Sequence, residues 1–163
     1  MVSTRLHRSS LNWPMAILFA LLASQSLFAT EYNIDKEGVA IHGYDAVAYF
    51  TVGEAKKGDE QYSAVHGNVT YHFASAAHRD LFAADPTGYL PQYGGYCSYG
   101  VRLGKKFDID PAAWAVVDGA LYLQLNQGTQ VIWKNDLQKN IEIAGRLWPA
   151  IRPIPAEQLA EAE

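Results

Sequence analysis

The spacing of apolar residues changes several times along the chain, and each change marks a different element. Two pairs of short apolar stretches are joined by two-residue connections: Tyr62 to His66 and Val69 to Phe73 by Gly67-Asn68, and Trp114 to Val117 and Ala120 to Leu125 by Asp118-Gly119. Residues that tolerate positive φ in such a connection favour the tight turns whose twist suits paired strands, so each pair predicts a β-hairpin. Elsewhere the period lengthens. Ser75 caps an expected helix whose inner face is Ala77, Leu81 and Ala84 with Phe82 beside them, and Asp85-Pro86 ends it, because the residue before proline avoids helical angles. Tyr93 to Leu103 reads as a short helix with Tyr96, Gly100 and Leu103 on one stripe, closed by Gly104, with Lys105 and Lys106 suited to its negative end. Asp110-Pro111 reads as a cap and first-turn proline opening one turn at Ala112-Ala113. Trp133, Leu137, Ile141, Ala144 and Trp148 keep helical spacing to Pro149, with Asn135-Asp136 as the place for a kink or split. Ahead of the first hairpin, Gly43-Tyr44-Asp45 reads as a turn and Ala46 to Phe50 as a buried strand or extended segment.

Strands and helices thus alternate without an internal repeat, which predicts an α+β domain: one small unit over residues 30–151 with two β-hairpins, short helices between them and a C-terminal amphipathic helix. Trp114, Leu121, Leu123 and Trp133 are its expected core. The Pro-rich, acidic stretch 152–163 is expected to be a disordered tail. Residues 1–29 have the build of a secretory signal: Arg5 and Arg8 ahead of an apolar run from Trp13 to Ala23, with cleavage after Ala29 or after Ser26. The run is short for a membrane span, so a periplasmic or secreted domain without stable membrane insertion is expected.

Charge narrows the partners. Removing Arg5 and Arg8 with the signal takes the 13 Lys and Arg to 11, against 17 Asp and Glu, a formal charge of −6. Such a surface, with no basic stripe, repels nucleic acid and argues against it as a partner. Both methionines, Met1 and Met15, lie in the signal, so the mature part cannot build thioether sites for Cu(I).

Cys97 is the only cysteine and rules out an intramolecular disulfide. Three readings of it stand: a buried inert thiol, a metal ligand or reactive thiol, or a thiol that pairs with another molecule. A thiolate with one or two imidazoles suits copper or zinc, and His72 and His78, six residues apart, are the candidate co-ligands. A second possibility is a small-ligand pocket lined by Tyr93, Tyr96 and Tyr99 with Cys97 at its floor or rim, which Gly94 and Gly95 would open to close approach. Catalysis by Cys97 would need a base, His72 or His78, and an orienting acid, Asp45 or Asp108. No phosphate loop, nucleotide fingerprint, serine elbow or zinc-protease helix occurs.

Several motifs stand in a recognisable order: Gly43-Tyr44-Asp45-Ala46-Val47-Ala48-Tyr49-Phe50, Tyr71-His72-Phe73-Ala74-Ser75, Gly94-Gly95-Tyr96-Cys97 with Gly104-Lys105-Lys106, Asp110-Pro111-Ala112-Ala113-Trp114, Val117-Asp118-Gly119-Ala120-Leu121-Tyr122-Leu123 and Trp148-Pro149. Together they resemble the exported branch of the YHS-domain proteins over nearly all of the mature chain. The resemblance implies metal handling, since related modules accompany copper-transporting ATPases and heavy-metal proteins. The cysteines of those metal-associated versions correspond here to Ala48, Ala74 and His78, so their usual thiolate site cannot form in this chain. The expected function is therefore transition-metal or small-ligand binding centred on Cys97. The alternatives are a thiol-dependent redox or interaction protein and a purely structural scaffold module.

Overall fold

A computed structural model describes residues 31–161. The signal-like segment 1–29 lies outside the described residues, and among those described no helix is long and apolar enough to cross a membrane. The fold is α+β, with two antiparallel two-stranded sheets and short helices around them.

The first hairpin pairs β1 (Asp59–His66) with β2 (Val69–Phe73), with Val65 opposite Thr70. Gly67 and Asn68 close it at φ +56° and +63°, the positive angles that a two-residue turn between twisted strands requires. Val69, Tyr71 and Phe73 point into the core, while Thr70 and His72 face away. The helix α2 (Ala76–Ala84) starts where Ser75 accepts a hydrogen bond from His78 N and gives out at Asp85. Its inward face differs from the expected one. Leu81 is 44% exposed and Phe82 is 1% exposed, a rotation of one residue, because the larger ring packs on Tyr71 and Phe73 with centroids 4.8 and 5.1 Å away.

The second hairpin pairs β3 (Asp110–Val117) with β4 (Ala120–Gln124) through Asp118 and Gly119, at φ +50° and +76°. It divides the molecule. Trp114 and Val116 of β3 and Leu121 and Leu123 of β4 face one core with the first hairpin, whereas Ala115, Val117 and Tyr122 face a second core with the helices. A strand covered on both faces loses its apolar-polar alternation, which explains why four successive residues from Leu121 to Gln124 are buried. Leu121, Leu123 and Trp133 are fully buried as expected, but Trp114 is only partly buried and leans edge-on against Tyr49 at 5.1 Å. Asp110-Pro111 opens no helical turn. Proline suits the first positions of this two-strand edge, so β3 begins at Asp110 directly.

Segment 41–51 is not a strand. Ile41–Gly43 form a tight turn and Ala48–Thr51 a single helical turn, α1, because the buried Asp45 carboxylate accepts Val47 N at 2.8 Å and Ala48 N at 3.2 Å and so turns the chain. Tyr93 to Leu103 is not one helix either. Tyr93, Gly94 and Gly95 take φ of +56°, +62° and +83°, which breaks the run, and only α3 (Ser98–Arg102) is helical before Gly104 turns left-handed.

The last helical run splits as expected, into α4 (Gln127–Asn135) and α5 (Leu137–Ile151). Asn140 repairs the break: it donates to Trp133 O at 2.8 Å and accepts from Arg102 Nε at 3.0 Å. The stretch read as a disordered tail instead carries α6 (Ala156–Glu161), whose Leu159 joins the second core. Lys105 and Lys106 are what hold it. Lys105 Nζ donates to Leu159 O at 2.5 Å, and Lys106 Nζ donates to Arg152 O and Ile154 O at 2.6 and 2.7 Å while lying over the rings of Tyr96 and Trp148. Burial lowers the Lys106 pKa to about 8.

Candidate functional site

Cys97 sits where the chain enters α3, and its sulfur caps that helix by accepting from Gly100 N at 3.4 Å. The thiol in turn donates to Gln124 Oε1 at 3.6 Å. It is 1% exposed, and burial pushes its pKa up against the lowering effect of nearby amides, so the proton stays on sulfur at neutral pH. His72 and His78 do not complete a site around it. Among the described residues no three His, Cys, Asp or Glu side chains gather as a metal would require. A neutral thiol facing a glutamine amide does not fit copper or zinc, both of which bind thiolate. Alkylation of Cys97 by iodoacetamide is therefore expected to be slow in the native protein and to accelerate by orders of magnitude in denaturant, with copper or zinc leaving the native rate unchanged. Fast native alkylation would show an open thiol.

His78 is committed elsewhere. Its Nδ1 lies 2.6 Å from Asp45 Oδ2 and its Nε2 3.2 Å from Thr51 Oγ1. The Asp45 carboxylate is completely buried and also accepts Ala74 N at 2.8 Å, together with Val47 N and Ala48 N. Backbone amides can only donate, so this carboxylate is an acceptor at both oxygens and His78 is its donor at Nδ1. The Thr51 hydroxyl donates to Val47 O at 3.1 Å, and the relay ends in the backbone. Asp45 and His78 thus tie α1, the end of β2 and α2 to one point.

His72 lines a broad polar cleft of about 410 Å3 with Asp35, His42, Lys57 and Glu60. Its charged groups are exposed and partly engaged already: His42 Nε2 meets Asp108 Oδ1 at 2.9 Å and Lys57 Nζ donates to His42 O. Val39 is the one aliphatic side chain in its lining, and beyond the two imidazoles it has no ring against which a flat ligand could stack.

A second cleft, of about 200 Å3, is built differently. Tyr32, Tyr71, Tyr93 and Trp148 supply its rings, Leu90 and Pro91 add apolar surface, and Glu31 and Arg152 stand at it as an ion pair 3.5 Å apart. Its floor depends on the left-handed Tyr93-Gly94-Gly95 turn. Asn33 N donates to Gly94 O at 2.8 Å and Tyr96 Oη donates to Tyr32 O at 3.2 Å, so segment 31–33 is laid across the glycines. A Cβ on Gly94 would run into the Glu31 carbonyl, which is why this position requires glycine. Positive φ is costly for a bulky residue such as Tyr93. The ring is held there by Tyr93 Oη donating to Ile141 O at 3.2 Å and by edge contact with Trp148 at 6.0 Å.

One group in the cleft is unspent. Tyr71 is 1% exposed, burial raises its phenol pKa, and its hydroxyl makes no hydrogen bond among the described residues. Of the four expected ligand residues only Tyr93 lines this cleft. Tyr96 supports it from behind, Cys97 belongs to the α3 cap, and Tyr99 lies under Arg102 at 5.5 Å. Tyr32, Tyr71, Trp148, Arg152 and Glu31 escaped sequence reasoning because they come from distant segments. The alternation that turns Tyr71 inward was the one local signal.

Compared with protein-family models, with curated proteins and with solved structures, the chain matches none.

Proposed function

We propose that the chain is an exported YHS-type domain that binds a small organic molecule in the cleft between Tyr71, Tyr93 and Trp148. Export rests on the charged start and apolar run of residues 1–29, and the YHS-type reading rests on the order of the motifs from Gly43 to Pro149. The observation that carries the binding reading is the cleft walled by the rings of Tyr32, Tyr71, Tyr93 and Trp148, onto which Tyr71 brings a hydroxyl that makes no hydrogen bond among the described residues. Apolar walls with a few placed polar groups are what small-molecule sites share. The cleft falls below the roughly 300 to 1,000 Å3 of sites that take drug-sized ligands, so the occupant is smaller. A thiol or metal centre at Cys97 has less support, because the thiol is buried and already acts as cap and donor.

Tyr71→Phe separates ligand binding from folding. The hydroxyl bonds to nothing described, so its removal is expected to change unfolding free energy by less than about 0.5 kcal/mol. A molecule that copurifies with the wild-type protein, seen by native mass spectrometry, is expected to bind the variant about 5 to 10 times more weakly, the value of one hydrogen bond. A wild-type protein that copurifies only as the bare chain, or equal affinity of the two proteins, would contradict the reading.

A further inference from the structure

The ion pair at the cleft narrows the chemistry of the occupant, given that the cleft is the binding site. Glu31 and Arg152 are 29% and 54% exposed in their side chains and form an ion pair at 3.5 Å; the Arg152 backbone N donates to Trp148 O, while its guanidinium donates no hydrogen bond among the described residues. The guanidinium therefore has donors to give, and a carboxylate matches its fork. The Glu31 carboxylate beside it can accept from an ammonium group. A ligand with one charge would answer one member of the pair and leave the other facing it with like sign. A ligand with both charges completes the pair into a neutral set of four. Below the pair, Tyr32, Tyr93 and Trp148 offer ring faces and edges to a flat apolar group, and Tyr71 offers one further hydrogen bond.

We infer that the cleft takes a small aromatic zwitterion of the α-amino-acid class, its carboxylate on Arg152, its ammonium on Glu31 and its ring against Tyr93 and Trp148. Isothermal titration calorimetry with four probes tests this: L-phenylalanine, 3-phenylpropionate, which lacks the ammonium, phenethylamine, which lacks the carboxylate, and neutral benzyl alcohol. Phenylalanine is expected to bind at least about ten times more tightly than either singly charged probe. Arg152→Gln is expected to bring phenylalanine to the level of phenethylamine, and Glu31→Gln to that of 3-phenylpropionate. Both side chains are at the surface, and thermal unfolding checks that the variants fold. Equal binding of phenylalanine and a singly charged probe, or affinity unchanged in both variants, overturns the zwitterion. Benzyl alcohol binding that is weakened by Tyr71→Phe would then leave the cleft standing as a site, whereas binding of none of the four removes both readings.

Discussion

Asp45→Ala is expected to cost about 4 kcal/mol or more of unfolding free energy, enough to leave much of the protein unfolded at moderate temperature. Four donors converge on this fully buried carboxylate: Val47 N, Ala48 N, Ala74 N and His78 Nδ1. Alanine removes the acceptor and leaves the Val47 and Ala74 amides and the His78 imidazole without it, while Ala48 N keeps the Asp45 carbonyl at 3.2 Å. Asp45→Asn retains one carbonyl oxygen and should fall between the two, at about 2 to 3 kcal/mol. His78→Ala should cost less than Asp45→Ala, since the carboxylate keeps its three amides. Urea unfolding followed by circular dichroism measures all three. A loss below about 1 kcal/mol for Asp45→Ala would mean that these amides find other partners.

Trp133→Ala carries the second large effect, about 3 to 5 kcal/mol. Trp133 is completely buried in the second core and packs on Tyr122 with centroids 5.4 Å apart. Its indole Nε1 is buried without a partner among the described residues, so its stabilisation comes from packed area and not from hydrogen bonding. Trp133→Phe should accordingly recover more than half of the loss. Trp114→Ala, at a partly buried ring on Tyr49, should cost about 1 to 2 kcal/mol. Similar losses for the two alanine variants, measured in the same denaturant, would contradict the difference in burial between the two rings.

Both hairpins were legible in the sequence because Gly67-Asn68 and Asp118-Gly119 determine their turns locally, and the α4–α5 split was legible at Asn135-Asp136 for the same reason. The errors lie where distant groups decide. Nothing near Ala46 to Phe50 shows that Asp45 will be buried and will bend the chain around its carboxylate. Nothing near Leu159 shows that Lys105 and Lys106, more than fifty residues earlier, will hold its helix against the second core. Phe82 prevails over Leu81 only because Tyr71 and Phe73 lie opposite.

The candidate site follows the same rule. The sequence offers Tyr93 as a pocket wall that Gly94 and Gly95 open to close approach, and the left-handed turn these three residues make does shape the cleft. Cys97 drew attention as a lone cysteine in a chain read as exported, yet its sulfur serves a cap. Arg152 was placed at the edge of a disordered tail, whereas the ordered turn after it brings its guanidinium to Glu31.

The cleft itself is tested most directly by nuclear magnetic resonance of the labelled protein during titration with L-phenylalanine and benzyl alcohol. Shifts are predicted to concentrate at Tyr32, at Leu90 to Gly94, at the Tyr71 ring and at the Trp148 indole N–H, while Cys97, His72 and His78 stay unmoved. Shifts centred on Cys97 or the histidines, or no saturable shift at the cleft with either probe, would contradict the assignment of this cleft as the binding site.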